Sequence, residues 1–382
     1  MPSSVTPHLL DTTMFFSPTS GGVRRYLLAK HEWLGRKASV THTLLVPGAA
    51  SGGTVGDVVE FSSPLIPLGA GYRFPWRLAA LRRILSGLRP DLIEAADPYQ
   101  MGWQAARVAA QLGIPSVAFC HSDLIALVGG RLGRSAAAAC ARYLRSLYSR
   151  FDLVLAPSRL VANRLCDAGI ERVAIQPLGV DAEVFRPERA SRTLRASLGL
   201  PPGTRLLVFA GRLAPEKNLS DLHALADILG DPYHVLIVGG PVASSPCARV
   251  TVLPYQREPV RLAAWLASAD LVIHAGRCET FGLVALEGMA CGRPVVVYDA
   301  GALPEIVDED VGAVARDSGP PALAAAVAGV FARDPATLGA EGRRRVLAKY
   351  TWDRALTHEL GLYAQLLRRP TLLRGAIPEL AW

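Results

Sequence analysis

Two glutamates, Glu279 and Glu287, lie eight residues apart in the stretch 274–307. Apolar residues between about 282 and 291 recur with helical spacing, and an apolar strand lies on either side. Eight helical residues would rise about 12 Å, more than the roughly 5–10 Å between the paired carboxyls of hydrolytic glycosidases. The spacing better suits a nucleotide sugar, with one carboxylate at the sugar and the other near the ribose. A helix-capping Glu279 with a solvent-facing Glu287 is the alternative.

Two cations flank a turn further up the chain. Arg212 and Lys217 follow a buried strand at 204–210, and Lys217 is expected in the first turn of the next helix. A cation at a helix N-terminus opposes the helix dipole and is unfavourable alone. A diphosphate bound between the two side chains would compensate it, because anions are stabilised at this end of a helix. A solvated basic turn is the alternative.

Two further candidates lie in the first half of the chain. Gly21 and Gly22 precede a helix, where glycine lets the backbone approach an anion, although this is also ordinary loop composition. His121 directly follows the buried strand 115–119. A side chain at the carboxyl end of a parallel strand faces the crevice in which such folds bind ligands. A purely structural histidine is the alternative.

The elements that must position these residues alternate between strand and helix in two series. The first series has strands at 8–13, 40–46, 57–61, 91–95, 115–119 and 152–156, and the second at 204–210, 233–238, 250–253, 271–273 and 294–298. This alternation predicts two doubly wound α/β domains with parallel sheets.

The motifs together resemble a known family. The E-x7-E stretch, the G-R-x-x-x-E-K-N run at 211–218 and the G-G-V loop at 21–23 are similar to those of retaining GT-B glycosyltransferases of family four. The resemblance is strongest over 205–219 and 274–307, and it implies two Rossmann-like domains facing a cleft. One departure is the stretch 241–249, which is shorter than in the family.

The resemblance also implies roles for the candidate residues. Glu279 and the residues after it would hold the donor sugar, and Glu287 the ribose hydroxyls. Arg212 and Lys217 would hold the diphosphate, the glycine loop the donor phosphate and the acceptor, and His121 the sugar hydroxyls. The implied donor site comprises Gly21, Gly22, Arg212, Lys217, Glu279, Thr280, Phe281, Gly282, Leu283 and Glu287, and the implied catalytic residues are His121, Glu279, Arg212 and Lys217.

The resemblance sets the expected domain limits as well. An N-terminal acceptor-side domain is expected over 1–183 and a nucleotide-sugar-binding domain over 184–351, joined by a Pro- and Gly-containing connector at 169–187. A last helix at about 352–369 would pack back on the first domain.

Composition narrows the function classes. The 382 residues carry 41 Lys and Arg against 33 Asp and Glu, a net charge of +8. No zinc finger, basic arm or aromatic RNA-binding strand accompanies that charge, which excludes nucleic acid as the expected partner. Six cysteines without a C-x-x-C pair favour a reducing compartment and no metal site. The first residues lack the basic and apolar regions of a signal peptide, so we expect a cytoplasmic protein.

The expected activity is transfer of a hexose from a UDP- or GDP-sugar to a hydroxyl of a glycan or lipid-linked acceptor, with retention of configuration. No cofactor or metal is expected, since no Asp-x-Asp lies where it could hold one and the two cations can neutralise the diphosphate. A front-side mechanism fits the lack of a nucleophilic carboxylate. The alternatives are a nucleotide-sugar epimerase of the same fold and a non-catalytic nucleotide-sugar binding protein.

A helix predicted at 75–89 bears on the acceptor. Leu78, Leu81, Leu85 and Leu88 recur on the face that we assign to the core. Trp76 and Arg83 then share the opposite face, a pairing typical of a lipid headgroup boundary. Peripheral contact with the inner face of a membrane is therefore a hypothesis, with an ordinary solvated helix as the alternative.

Overall fold

A computed structural model describes residues 6–17, 21–49, 54–55, 58–67, 71–240, 247–317 and 319–374. Residues 18–20 of the glycine loop and 241–246 of the shortened stretch lie outside this set. The chain forms two compact units. The first comprises residues up to Leu178 together with those from Trp352 onward, and the second is Gly179–Thr351.

The first unit is built on an eight-stranded sheet with the order β3-β4-β2-β1-β5-β6-β7-β8, parallel except for the β3–β4 pair. Its strands are β1 (His8–Thr12), β2 (Thr41–Gly48), β3 (Thr54–Val55), β4 (Val58–Ser62), β5 (Leu92–Ala95), β6 (Ser116–Phe119), β7 (Leu153–Ala156) and β8 (Val173–Ile175). Its helices are α1 (Gly22–Lys37), α2 (Leu78–Gly87), α3 (Gln100–Leu112), α4 (Leu124–Leu132), α5 (Arg134–Tyr148) and α6 (Arg159–Asp167), followed later by α13 (Trp352–Leu366).

The second unit is built on a six-stranded parallel sheet with the order β11-β10-β9-β12-β13-β14. Its strands are β9 (Arg205–Ala210), β10 (Tyr233–Val238), β11 (Val250–Leu253), β12 (Leu271–His274), β13 (Val295–Tyr298) and β14 (Gly312–Ala315). Its helices are α7 (Arg192–Ser197), α8 (Leu219–Leu229), α9 (Pro259–Ser268), α10 (Leu283–Ala290), α11 (Pro320–Phe331) and α12 (Pro335–Lys349), with short 3-10 turns at Pro187–Arg189, Pro215–Lys217 and Leu303–Glu305.

The strands are short apolar runs because helices cover both faces of each sheet. All of β5, β6, β12 and β13 is buried, so these strands cannot alternate between polar and apolar residues. Such continuous runs are readable in the sequence, and the predicted strands are confirmed to within two residues at their ends. Five elements were missed: β3, β8, β14, α4 and α7.

The helix predicted at 75–89 is shorter than expected. It begins at Leu78, after a bridge between Leu65 and Arg73 and a hydrogen bond of 2.9 Å from the Phe74 N–H to the Pro64 carbonyl. These contacts hold the chain before Pro75 in an extended conformation. Trp76 therefore precedes the helix, and the assignment of Trp76 and Arg83 to one helical face is wrong.

The last helix packs within the first unit, where α13 contacts α1. All six cysteines are free thiols. In the part of the chain that the structure describes, no helix combines the length and the apolar composition that crossing a membrane requires.

Candidate active site

The second sheet reverses its strand order between β9 and β12. From β9 the chain adds β10 and β11 on one side, and then returns to add β12, β13 and β14 on the other. Ligands of open α/β sheets bind at such a switch point, outside the carboxyl ends of the strands. The loops that follow β9, β12 and β13 meet there, and they carry Lys217, Glu279 and Gly301 respectively.

Lys217 and Glu279 form an ion pair between the Lys217 Nζ and the Glu279 Oε1. Their side chains are 16 % and 18 % exposed, so the pair is reachable from solvent but largely enclosed. Burial alone would raise the pKa of the Glu279 carboxyl, but the Lys217 ammonium and His274 hold it well below its usual range. Glu279 is therefore an anion throughout the neutral pH range.

The sequence predicts Lys217 in the first turn of a helix, and this prediction is wrong. It ends the 3-10 turn Pro215–Lys217, and Asn218 in the left-handed region separates it from α8. The conflict between a cation and a helix dipole therefore does not arise here. The charge of Lys217 is compensated by a carboxylate of a neighbouring loop.

His274 is the third member of this cluster, and the sequence did not single it out. It is the last residue of β12 and is buried. Its Nδ1 accepts the N–H of Gly276 at 3.1 Å, so the neutral ring carries its proton on Nε2. That Nε2 lies 3.3 Å from the Glu279 Oε1. His274 thus contacts the same carboxylate oxygen as Lys217. A polar residue ending an apolar strand was the available signal.

Two other residues hold the loops in place. The Asn218 side-chain amide donates to the Ala275 carbonyl at 2.9 Å and so joins the loop after β9 to the loop after β12. Gly301 has a φ of +62°, and a Cβ there would lie 2.7 Å from the Glu279 carbonyl oxygen. The neighbouring Ala302 N–H donates to that same oxygen at 2.8 Å. A larger side chain at 301 would therefore displace Glu279.

Helix α10 starts four residues after Glu279. Its N-cap is Gly282 with a φ of +103°, and no side chain caps it. A Cβ at Gly282 would collide with the Leu303 side chain. The interpretation of Glu279 as the helix cap is therefore wrong. The first N–H groups, at Leu283 and Val284, precede the first intrahelical acceptors and remain available to an anion or a sugar oxygen.

The remaining residues of the implied sugar-binding run have different environments. Phe281 is buried and packs edge-to-face on Tyr350 with ring centroids 6.1 Å apart. Thr280 and Leu283 are half-buried. Phe281 anchors the loop, while its neighbours are reachable from solvent.

Glu287 lies in the second turn of α10 and is 1 % exposed. The alternative that it merely faces solvent is wrong. Only the second half of the interval from Glu279 to Glu287 is helical, because α10 begins at Leu283. The rise expected for eight helical residues therefore does not describe the separation of the two glutamates. A carboxylate at such depth needs a compensating partner.

Arg212 lies two residues after the end of β9 at Ala210 and is exposed. Its guanidinium forms no ion pair with any residue that the structure describes. A nearby cation that the sequence did not single out is Arg277, which lies 3.5 Å from the Asp221 carboxylate and 4.5 Å over the Tyr298 ring. Arg212 is thus an exposed cation in the loop after β9, whereas Arg277 is paired with Asp221.

The other expected site residues belong to the first unit. Gly21 is the N-cap of α1 and Gly22 its first residue, with no side-chain cap. His121 follows β6 and stacks on Phe119 with centroids 4.0 Å apart and 23° between planes. Burial, assisted by the charge of Lys30, lowers the pKa of His121 to about 3. Asp123 has a structural role, because it caps α4 at the Ala126 N–H and pairs with Arg164.

Among the described residues, no group of three or more His, Cys, Asp or Glu side chains is arranged to hold a metal ion. The loops at the switch point carry the positive charges of Arg212, Lys217 and Arg277.

Two family models match the chain. "Glycosyltransferase Family 4" matches residues 20–184, and "Glycosyl transferases group 1" matches residues 204–333. A GDP-mannose-dependent alpha-(1-6)-phosphatidylinositol dimannoside mannosyltransferase of Mycobacterium tuberculosis is 32 % identical over 369 residues, which cover 91 % of this chain and 93 % of the relative. The chain belongs to glycosyltransferase family 4.

Other comparisons agree with this assignment. A GDP-mannose-dependent alpha-mannosyltransferase of Mycolicibacterium smegmatis is 34 % identical over 301 residues, or 76 % of this glycosyltransferase and 77 % of the relative. The structure of sucrose-phosphate synthase from Thermosynechococcus elongatus superposes with a TM-score of 0.77 at 22 % identity, covering 95 % of this chain and all of that one. The predicted family and the predicted GT-B fold with two Rossmann-like domains are confirmed.

Proposed function

We propose that this glycosyltransferase transfers a mannosyl residue from GDP-mannose to a hydroxyl of a lipid-linked acceptor in glycolipid synthesis, with retention of anomeric configuration. The names of the two mycobacterial relatives support the donor, and that of the Mycobacterium tuberculosis relative supports a lipid acceptor. The observation that carries a donor site in this chain is the enclosed Lys217–Glu279 pair at the switch point of the second sheet.

The proposed roles follow from charge and position. Glu279 and the residues 280–283 bind the hydroxyls of the donor sugar, since the carboxylate accepts and the N–H groups at the α10 start donate. Arg212 and Lys217 stabilise the leaving diphosphate, and Glu287 binds the ribose. Gly21 and Gly22 let the backbone approach the donor phosphate.

In the proposed reaction the bond between the sugar C1 and the diphosphate oxygen breaks, while the acceptor oxygen bonds to C1 on the same face. The acceptor proton passes to the departing phosphate oxygen. The protein supplies fixed positive charge where negative charge develops, a contribution that is often the largest in such reactions. Under this proposal the cations of the chain do this without a metal ion.

Nucleotide recognition is tested by thermal unfolding with GDP, UDP and ADP at equal concentrations. We expect GDP to raise the Tm most, because a ligand at about 100 times its Kd adds roughly 2.7 kcal/mol to the free energy of unfolding. Transfer is then followed with radiolabelled GDP-mannose and a phosphatidylinositol-type lipid, and NMR of the product assigns the anomer. Arg344→Ala is a charge-matched control for Arg212→Ala, since Arg344 is exposed on α12 and pairs only with Glu341 among the described residues.

Three outcomes would contradict the proposal. A rise in Tm with UDP or ADP but not with GDP would show that the donor is not GDP-mannose. A product with inverted anomeric configuration would rule out the retaining mechanism. Activity that disappears with a chelator and returns with Mg²⁺ or Mn²⁺ would remove the metal-free part.

A further inference from the structure

The first unit contains a cavity of about 470 Å³ at its own switch point, where the strand order reverses between β1 and β5. Met14 and Phe15 follow β1, and Tyr99 and Gln100 follow β5. Ligand pockets typically enclose about 300–1,000 Å³ and open at such points. No residue assigned above to the donor lines this cavity.

The lining is dominated by aromatic rings and contains no charged side chain. The six aromatic residues are Phe15, Tyr72, Phe74, Tyr99, Trp103 and Tyr143. Phe15 packs edge-on against Tyr72 and Tyr99, with ring centroids 6.2 and 5.7 Å apart. These rings present apolar surface to whatever enters.

Two polar groups of the lining bond within the protein. The Trp103 Nε1 donates to the Tyr143 hydroxyl at 3.1 Å, and that hydroxyl donates to the Pro98 carbonyl at 2.6 Å. The remaining polar residues of the lining are Tyr72, Tyr99 and Gln100, and the rest of the lining is apolar or bonded within the protein. An alkyl chain needs only displaced water and ring contacts.

The cavity is held open by a buried carboxylate. Asp97 accepts the Met14 N–H at 2.7 Å and the Tyr99 N–H at 2.8 Å, and so ties the ends of β1 and β5 together. Burial raises its pKa to about 6. The two loops that form the wall are therefore joined by the fold itself.

Arginines lie beside the rings of the lining. The Arg150 guanidinium lies 5.2 Å over the ring of Trp103, which lines the cavity. Near Phe74, the Arg77 guanidinium lies 5.1 Å over the ring of Trp76, which is 59 % exposed. An apolar cavity with arginines beside it matches a ligand with an alkyl chain and an anionic head.

We propose that this aromatic cavity binds one acyl chain of an anionic phospholipid acceptor, while the surrounding arginines attract its phosphate headgroup. The inference rests on the proposed function in that the acceptor is lipid-linked. It adds the place where the chain lies and the charge that the headgroup must carry.

The test uses the full-length protein and titration calorimetry with dioctanoyl phosphatidylinositol below its micelle concentration. Dioctanoyl phosphatidylcholine, which has acyl chains but no net charge, tests whether the headgroup must be anionic. Inositol 1-phosphate, which has the anionic headgroup but no acyl chain, tests whether the chain is needed. The variants are Phe74→Ala and Tyr99→Ala, whose side chains are 42 % and 36 % exposed and so tolerate truncation. Leu112→Ala is the matched control, because Leu112 is also 42 % exposed and lies at the far end of α3 from Gln100.

We expect the anionic lipid to bind, and each cavity variant to weaken it about tenfold or more, as for anchor residues of an interface. Leu112→Ala should bind as the wild type does. The acyl-chain site would be overturned if the cavity variants bound the anionic lipid as tightly as the wild type does. It would also be overturned if inositol 1-phosphate bound the wild type as tightly as the lipid does. Equal binding of the neutral lipid would overturn the role of the arginines.

Failure of this inference is distinguishable from failure of the proposed function. The Tm shift with GDP and the turnover of GDP-mannose do not require the cavity. A protein that uses GDP-mannose but ignores the anionic lipid overturns the cavity assignment alone. A protein that binds the lipid in the cavity but not GDP overturns the donor assignment alone.

Discussion

Lys30 of α1 and Glu359 of α13 form an ion pair with 2.8 Å between Nζ and Oε1, and each side chain is 1 % exposed. The two residues come from opposite ends of the chain. Asp11 of β1 and Glu94 of β5 also contact the Lys30 Nζ, at 2.8 and 3.1 Å. One buried ammonium thus joins the last helix to two central strands of the first sheet.

Removal of this ammonium should strongly destabilise the protein. Lys30→Met leaves Asp11, Glu94 and Glu359 buried without their shared cation, and breaking a buried pair costs about 3–5 kcal/mol. Urea unfolding followed by tryptophan fluorescence measures the loss. Arg344→Ala removes an exposed pair worth only about 0–1 kcal/mol and serves as the control. A Lys30→Met variant as stable as the control would show that the cluster contributes nothing.

The stability of the first unit should depend on the ionisation of Glu94. Burial raises the pKa of Glu94 from 4.5 to about 8, against the attraction of Lys30, and Asp11 and Glu359 raise it further. The folded state therefore keeps a proton that the unfolded chain releases near pH 4.5. Its stabilising contribution is complete below pH 4.5 and is lost as the pH rises through 8.

The variant Glu94→Gln isolates this effect, since the amide resembles the protonated carboxyl. Relative to the wild type, its free energy of unfolding should rise by up to about 1.4 kcal/mol per pH unit between pH 5 and 8. The comparison cancels the opposite contribution of His121, whose lowered pKa adds stability as the pH rises towards 6.5. Parallel stability curves for the two proteins would refute the assignment.

The two glutamates of the proposed donor site should have separable roles. Glu287→Ala is expected to lose the GDP-induced rise in Tm, because its carboxylate would bind the ribose. Glu279→Ala should keep that rise and lose mannosyl transfer. The reverse pattern would exchange the two assignments. Unchanged GDP affinity in Glu287→Ala would remove the assignment of Glu287 to the ribose.

The cations beside Glu279 should act on turnover. Arg212→Ala and Lys217→Ala are each expected to lower kcat about a hundredfold or more, the scale for losing one preorganised charge stabiliser. His274→Ala should also lower kcat, because it releases the Glu279 carboxylate from one of its two partners. Arg344→Ala should be indistinguishable from the wild type, and an equal fall in that control would point to a general charge effect.

His121 should contribute to transfer as a neutral side chain. With its pKa lowered to about 3, the ring does not titrate above pH 5. His121→Ala should therefore reduce kcat by a constant factor from pH 5 to 8 while the Tm shift with GDP is kept. A reduction that appears only above pH 6.5 would mean that the ring titrates in the enzyme, and normal transfer would make His121 structural.

The local pattern of the sequence determined the elements and the edge of each sheet at which function is expected. Runs such as 205–210 and 294–298 are apolar because both faces of a parallel sheet are covered, so strand positions are readable residue by residue. Lys217 and Glu279 each follow such a run, and the carboxyl ends of parallel strands share one edge. The family resemblance rests on these same residues.

Only the tertiary structure decided which side chains meet. The pairing of Lys217 with Glu279 requires β9 and β12 to be neighbours, although β10 and β11 separate them along the chain. The same holds for Lys30 with Glu359 and for the six aromatic rings that line the cavity of the first unit. Strand order and long-range packing arise from the burial of many distant surfaces together, and no local periodicity encodes them. Likewise, Trp76 has a helical sequence pattern but lies before α2, next to the bridge between Leu65 and Arg73. Tertiary contacts of this kind outweigh weak local propensities.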